Sequence, residues 1–597
     1  RERGIIAGGN NNSNNSGGAI VVIKDGKISI TNADITGNKA TGNNSSGGIY
    51  GEAGSTIGMN GVNVRENTGT VAGGVYSNSE VSIHGGEISH NTSTAITGRG
   101  GVYVGLEGEL SISGAIKVTD NANSVAVANP VSNLYMLGDA PKMQVTGSLA
   151  GASIGLSSTP IGVLTEGYGK DAEGTYENIA HPNTIFKMDN SVYFIEEEEV
   201  NGIREAVIGC RDGSLNWSYA VKSSLADNGN PKTVYMYDDW IAPENETYTT
   251  SFGEDVGYSN GRLYVPVGAS IVLDLAGRTV SRNLIDRMTT NGSVLYVAGS
   301  LRIIDSVGGG KITGGNSNGT GGIYVSNGGT LVLEGGSITG NKSSSTANAG
   351  GVNVAGTFKM SGGSVEDNYS AGPGGGVYVE STGVLDLCGE IGISGNKSDG
   401  DNPGNVYIAS ETGVVTVSRP ISVTEPIGIT RNSLGPVTSG FGANMGSVDE
   451  SKYFVSENPK YYVGTVGAGG SREVTMLTDD NALNWSYAVK MSLAQNGAQW
   501  TVKLTGDWNA DPDNVYYSKS FGPDSLPGYS NGALYVPEGA NIVLDLNGFT
   551  VDRGLKKDGV LTSARTNGYV IHVGGKFRLE DNSTAGTGIV TGGWNQT

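Results

Sequence analysis

The sequence predicts an all-β chain built of right-handed parallel β-helix (solenoid) modules in tandem, each with a short capping helix. Three observations carry that expectation. Apolar residues alternate with period two in short words such as Val377-Tyr378-Val379. Paired glycines return at Gly17, Gly47, Gly73 and Gly100, then at Gly321, Gly350 and Gly375, in steps of 30, 26 and 27, then 29 and 25. A longer passage, LNWSYAVKSSLADNG at 215–229, comes back as LNWSYAVKMSLAQNG at 483–497.

The short repeat defines one coil. A repeat in the twenties marks a solenoid. Neither regular leucines nor helical pairs are present, so leucine-rich, ankyrin and tetratricopeptide repeats are excluded. Each coil reads as three short strands, and runs such as TFKMSGGSVEDN (357–368) place a Gly-Gly bend between two of them. Paired glycines are expected to supply positive φ and sharp corners. Asn38, Asn67, Asn91 and Asn121, then Asn341, Asn368 and Asn396, each close an Ile/Val-x-x-Asn word. At a corner such asparagines can bond to one another as a ladder. Turn length varies most before the glycine pair, so that face is expected to carry variable surface.

The long repeat defines the module. Trp217 and Trp485 are 268 residues apart, as are Trp240 and Trp508. The expected organisation is coils ending a first module over 1–132, its tail over 133–214, a capping helix and coils over 215–404, a second tail over 405–482, and the start of a third module over 483–597. Within the helix, Trp485, Val489 and Leu493 share one face and Gly497 is a stop. Asn201-Gly202 in the first tail is a hairpin turn. The sequence begins and ends at the same phase of the module, so it reads as a window on a longer protein.

Composition narrows the function. Of 597 residues 98 are glycine, without collagen's every-third spacing, and the net charge is −20. An acidic surface repels phosphate, so nucleic acid is excluded as a partner. Two distant cysteines, Cys210 and Cys388, form neither a metal motif nor a disulfide framework. No apolar run is long enough for a membrane helix, and none is a signal peptide, so no membrane insertion is expected in this stretch.

GGAI at 17–20 with the recurrent Ile/Val-x-x-Asn word resembles the repeats of bacterial polymorphic outer-membrane proteins, with Ile or Val in place of their Phe. No segment resembles their barrel. Residues 374–396 and 541–593 are similar to the parallel β-helix repeats of large adhesin-like surface proteins of anaerobic gut bacteria and methanogens. That resemblance implies an extracellular location on a bacterium or archaeon, and adhesion.

Parallel β-helices also host polysaccharide lyases and hydrolases, which need converging carboxylates. The Gly-Gly strands contain none. Asp274 and Asp545 recur once per module and are expected to face solvent or a turn. Glu196–Glu199 could hold calcium but read as a solvated hairpin strand. The histidines His84, His90, His181 and His572 form no ligand set, and Trp217 and Trp485 read as core. The remaining candidates are tyrosine rows. Tyr50, Tyr76 and Tyr103 would stack on one face, as would Tyr324, Tyr378 and Tyr407 with Asn353 interrupting. They could stack on sugar rings, or they could be cross-strand ladders that stabilise the sheet.

The expected function is therefore a non-catalytic, multivalent surface adhesin, stalk or fibre shaft. It would need no cofactor or metal. Its partners would be glycans or surface proteins, or further copies docked end to end. A polysaccharide-degrading enzyme and a purely structural filament are the alternatives.

Overall fold

The computed structural model describes residues 3–126, 130–138, 143–158, 160–170, 180–284, 287–466, 472–511, 519–557, 560–561 and 567–594. The chain is all-β, with sheets that are mostly parallel and short helices between them. It divides into two compact units, Arg1–Tyr219 and Ala220–Thr597. No helix among the described residues is long and apolar enough to cross a membrane.

In the longer unit the chain visits three sheets in turn. Arg262–Val265, Ser270–Asp274 and Thr279–Ser281 enter one sheet each. Leu295–Val297, Ser300–Ile304 and Lys311–Thr313 then pair beside them in parallel and in the same order. The first of these sheets continues through Ile323–Val325, Val352–Val354, Val377–Val379 and Val406–Ile408. The pairing aligns like with like. Leu263, Leu295, Ile323, Val352, Val377 and Val406 form one buried row, and Val265, Val297, Val325, Val354, Val379 and Ile408 a second. Each such side chain contributes about 1.5–3 kcal/mol by burial. The residue between the two rows points away from this core, and a one-residue slip would expose both rows at once.

The unit Arg1–Tyr219 is built by the same rule. Ile49–Gly51, Val75–Ser77, Val102–Val104 and Leu134–Met136 pair in parallel, and so do Thr56–Arg65, Glu80–Ser89 and Glu109–Thr119. Near the end of this unit Tyr193–Val200 pairs antiparallel with Ile203–Cys210. Its turn is Asn201-Gly202 with φ of 54° and 78°, the left-handed pair that an Asn-Gly hairpin uses.

The asparagines do form ladders. N and Nδ2 of Asn67 both donate to Oδ1 of Asn91 at 3.0 and 2.9 Å, and Asn91 does the same to Asn121. Asn341, Asn368 and Asn396 repeat the geometry in the other unit. Every amide points the same way, so each ladder has a donor end. There a carboxylate accepts: Asp189 from Asn133, and Glu457 from Asn405. A negative charge at the donor end of aligned dipoles is the favourable arrangement, as at a helix N-terminus.

The Gly-Gly bend at 362–363 has the expected positive φ, 72° at Gly363, but the glycine pairs that open each coil work differently from expectation. None of Gly47, Gly73, Gly100, Gly321, Gly350 and Gly375 has a positive φ. They are required by close approach: a Cβ on Gly73 would stand 2.4 Å from both Gly100 O and Thr92 N. The left-handed corner instead falls one residue before each ladder asparagine, at Gly37, Glu66, His90, Asp120, Gly340, Asp367 and Gly395.

The helix expected from 483 spans Asn481–Ala494, with Asp480 accepting from the N–H groups of Ala482 and Leu483. Gly497, φ 80°, ends it by donating to Ser492 O at 2.8 Å. Trp485 and Val489 are fully buried as expected, but Leu493 is 41 % exposed. The helix packs against Gln499–Lys503 and Asn541–Asp545. Leu493 lies in its last turn.

Candidate functional site

The middle residue of each core-facing triplet is where the tyrosines stand. Tyr50, Tyr76 and Tyr103 stack with centroid separations of 5.0 and 5.4 Å, and Tyr135 extends the row at 5.3 Å. This row is not open along its length. Tyr50 and Tyr76 are buried and pack with Ala72 and Val71 from the turn before a glycine pair. Tyr103 and Tyr135 are half-buried.

In the longer unit the row is broken, as the sequence implied. Asn353 is fully buried and donates to Glu380 at 2.5 Å. On one side Tyr378 and Tyr407 stand 5.1 Å apart. On the other, Tyr324 stacks on Tyr296 at 5.4 Å and Tyr296 on Tyr264 at 5.1 Å. Tyr135, Tyr264 and Tyr296 were outside the expected rows. Their words LYM, LYV and LYV lack the preceding glycine pair, and the x-Tyr-apolar pattern alone would have found them.

The Tyr264–Tyr324 segment borders a groove of about 250 Å³. Its walls bring Arg262, Asn291, Asn318, Thr320 and Asn348 beside Tyr296 and Tyr324. A tight hairpin supplies the arginine. Tyr258–Ser259 pairs antiparallel with Arg262–Val265 around Asn260-Gly261, φ 52° and 73°. The Arg262 guanidinium lies 4.7 Å from the Tyr296 ring centroid. Its Nε donates to Ser259 O at 3.1 Å and its Nη1 to Ser293 Oγ at 3.2 Å. Burial pushes it down from its ordinary pKa, opposed by the neighbouring phenols. Aromatic surface flanked by amide and hydroxyl groups suits a sugar ring, which offers an apolar face and a polar rim.

A larger cavity of about 730 Å³ lies among Leu434, Tyr462, Met476, Tyr487, Trp500 and Phe549. Its amides are already engaged: Asn484 Nδ2 donates to Thr478 O at 2.9 Å and Asn547 Nδ2 to Leu504 O at 3.0 Å. It therefore presents apolar surface with little to orient a ligand.

The recurrent acids are structural. Asp274 and Asp545 are 6 % and 4 % exposed, so they do not face solvent. Oδ1 of Asp274 accepts from the N–H groups of Ala276 and Ser306, each at 3.0 Å, and Asp545 accepts from Asn547 and Asn582. Asp305 and Asp581 hold the glycine turns beside them in the same way. Glu197, on the hairpin strand, pairs with Arg204. Trp485 is core, donating to Gly528 O at 2.7 Å, and Trp217 is fully buried. His84 meets Ser113 at 2.7 Å, and His572 stacks 4.8 Å from Tyr535. Among the described residues no three His, Cys, Asp or Glu side chains are placed to hold a metal ion.

Burial makes the tyrosine rows sensitive to alkali. The Tyr76 phenol is pushed up to about 12 from 10.0, first by burial and then by Tyr50 and Tyr103. An acid whose folded pKa is raised stabilises the fold fully below its unfolded pKa and loses that contribution as pH rises through the folded value. Stability is thus expected to fall between about pH 10 and pH 12. Denaturation midpoints across that range, followed with phenolate absorbance, test this; in Tyr76→Phe the fall is expected to be shallower.

Compared with protein-family models, with curated proteins and with solved structures, the chain matches none.

Proposed function

We propose that the chain is a right-handed parallel β-helix scaffold, displayed on a cell surface, that holds glycans multivalently and does no chemistry on them. The cyclic passage through three parallel sheets supports the β-helix, and the right-handed crossover is the default for parallel connections. The observation that carries the binding role is the groove at Tyr296 and Tyr324, where stacked rings meet amides and an arginine. The recurrent carboxylates Asp274 and Asp545, spent on backbone N–H groups, speak for a scaffold over a hydrolase. The resemblance to adhesin-like surface repeats points the same way.

Single sites of this kind bind weakly, and their repetition along one chain multiplies the effect. Immobilised polysaccharides should therefore retain the protein about a hundredfold more tightly than short oligosaccharides compete for it. The test is a panel of acidic and neutral polysaccharides, scored for retention and for bond cleavage. Retention without new reducing ends or unsaturated products is expected. Cleavage with turnover would make the protein an enzyme. Neither signal would leave the self-assembling filament.

A further inference from the structure

We infer that the groove at Arg262 recognises sugars bearing a carboxylate, so that the glycans held are acidic ones such as uronate polymers. This rests on the glycan-binding reading above and names the ligand class for it.

The chain carries a net charge of −20, yet among the described residues no carboxylate pairs with the cation in this groove. Both hydrogen bonds of Arg262 go to neutral oxygens, the Ser259 carbonyl and the Ser293 hydroxyl. The titratable groups facing it among the described residues are the neutral phenols of Tyr264, Tyr296 and Tyr324 and a second cation, Arg282, with no carboxylate among them. A half-buried guanidinium without a counter-ion is a standing cost, and an incoming anion relieves it. Arg262 still has its Nη2 edge without a hydrogen-bond partner among the described residues. Guanidinium is the group best shaped for a planar carboxylate.

The rest of the groove fits the remainder of such a sugar. Tyr296, flanked by Tyr264 and Tyr324 at 5.1 and 5.4 Å, offers ring edge and hydroxyl to the groove, and Asn291, Asn318, Thr320 and Asn348 offer donors and acceptors for hydroxyls.

The first unit repeats the pairing independently. Arg99 lies 4.2 Å from the Tyr135 ring centroid. Among the described residues its guanidinium donates only to the backbone carbonyls of Thr97 and Gly98, and its buried Nε has no partner. Arg99 sits in a turn before a glycine pair, whereas Arg262 opens the second strand of a hairpin, so the two are not copies of one repeat position. Where the repeat does copy the hairpin, the feature is absent: Ala533 stands at the place of Arg262, and Tyr535 pairs with His572 where Tyr264 pairs with Tyr296.

The test compares polygalacturonate with its fully methyl-esterified form, which keeps the backbone and masks the charge. Dextran sulfate and dextran control for unspecific attraction to polyanions. The full chain is expected to bind the free acid about tenfold more tightly than the ester, because charge-assisted bonds are roughly twice as strong as neutral ones. Dextran sulfate should be held no better than dextran. Arg99→Gln with Arg262→Gln should abolish the difference between acid and ester. Equal retention of acid and ester, strong retention of dextran sulfate, or a double variant that keeps the preference would overturn the inference and leave glycan binding standing. Retention of none of these polymers would remove the glycan reading itself. If the double variant fails to fold, the wild-type comparison and Arg262→Lys decide: lysine keeps charge but not the planar fork, so a partial preference is expected and an undiminished one counts against the arginine geometry.

Discussion

Replacing Asn368 with alanine is expected to destabilise the chain by about 3–5 kcal/mol, the cost of stranding two or three buried polar groups. Asn368 is 1 % exposed. Its Nδ2 donates to the carbonyls of Ile338 and Glu366 at 2.8 and 2.9 Å and to Asn396 Oδ1 at 3.0 Å. Its Oδ1 accepts from N and Nδ2 of Asn341 at 3.0 and 3.1 Å. Alanine removes all of these. Aspartate, of the same shape, is expected to do worse at neutral pH. It keeps an acceptor for Asn341 but turns a second oxygen toward three acceptors. Those contacts disfavour the charged form, so its folded pKa is raised above the unfolded value of about 3.9. Stability regained by protonation is then complete below that unfolded value and is lost as pH rises through the folded one. Urea unfolding of N368A and N368D at neutral and acidic pH reads the order directly. An aspartate variant milder than alanine at neutral pH would mean that the ladder does not run in one direction.

The ladder also shows what the sequence could and could not convey. Ile/Val-x-x-Asn recurs at nearly constant spacing, and a buried amide at a repeated corner has few partners other than its own copies. The ladder asparagines were therefore legible. Its terminators were not, because Asp189 lies 56 residues beyond Asn133 and Glu457 lies 52 beyond Asn405, in the tails where the period is lost. The glycine pairs that open each coil were legible as positions and misread as mechanism, unlike the bend at Gly363: spacing marks where a residue must be small, but not whether φ or a neighbouring backbone demands it. Tyrosine rows followed from period two. That turns would cover Tyr50 and Tyr76 while Tyr296 and Tyr324 border a groove depends on how loops of different length fold back, which no local pattern records. Arg262 gave no signal of its own, since a lone arginine in an acidic chain is ordinarily solvated. Arg282 did leave one. TVSRN at 279–283 returns as TVDRG at 550–554, and both Arg282 and Arg553 are fully buried.

Arg282 yields the second large effect, and it links the fold to the groove. Its Nη2 donates to the carbonyls of Thr250 and Asn260, each at 2.9 Å, and its Nη1 to Ser293 O at 3.3 Å. One guanidinium thus ties together three segments. Asn260 belongs to the hairpin turn that presents Arg262, and Ser293 holds Arg262 through its hydroxyl. Gly261 completes the fit, since a Cβ there would come 2.7 Å from Arg282 Nη2. Arg282→Leu strands these carbonyls in the interior and is expected to cost about 3–5 kcal/mol. Arg282→Lys separates fold from site. A lysine supplies charge and one flexible donor group but cannot span three segments, so the expected loss is smaller, about 1–3 kcal/mol. The hairpin should nevertheless lose its fixed position, and retention on polygalacturonate should fall in Arg282→Lys even where circular dichroism matches the parent. Arg553 makes the same contact to Asn531 O, at 2.6 Å, beneath a hairpin that carries Ala533. Arg553→Lys should therefore lower stability and leave binding of the acid polymer untouched. If both lysine variants weaken retention equally, Arg282 acts through global stability alone and the groove at Arg262 does not depend on its hairpin.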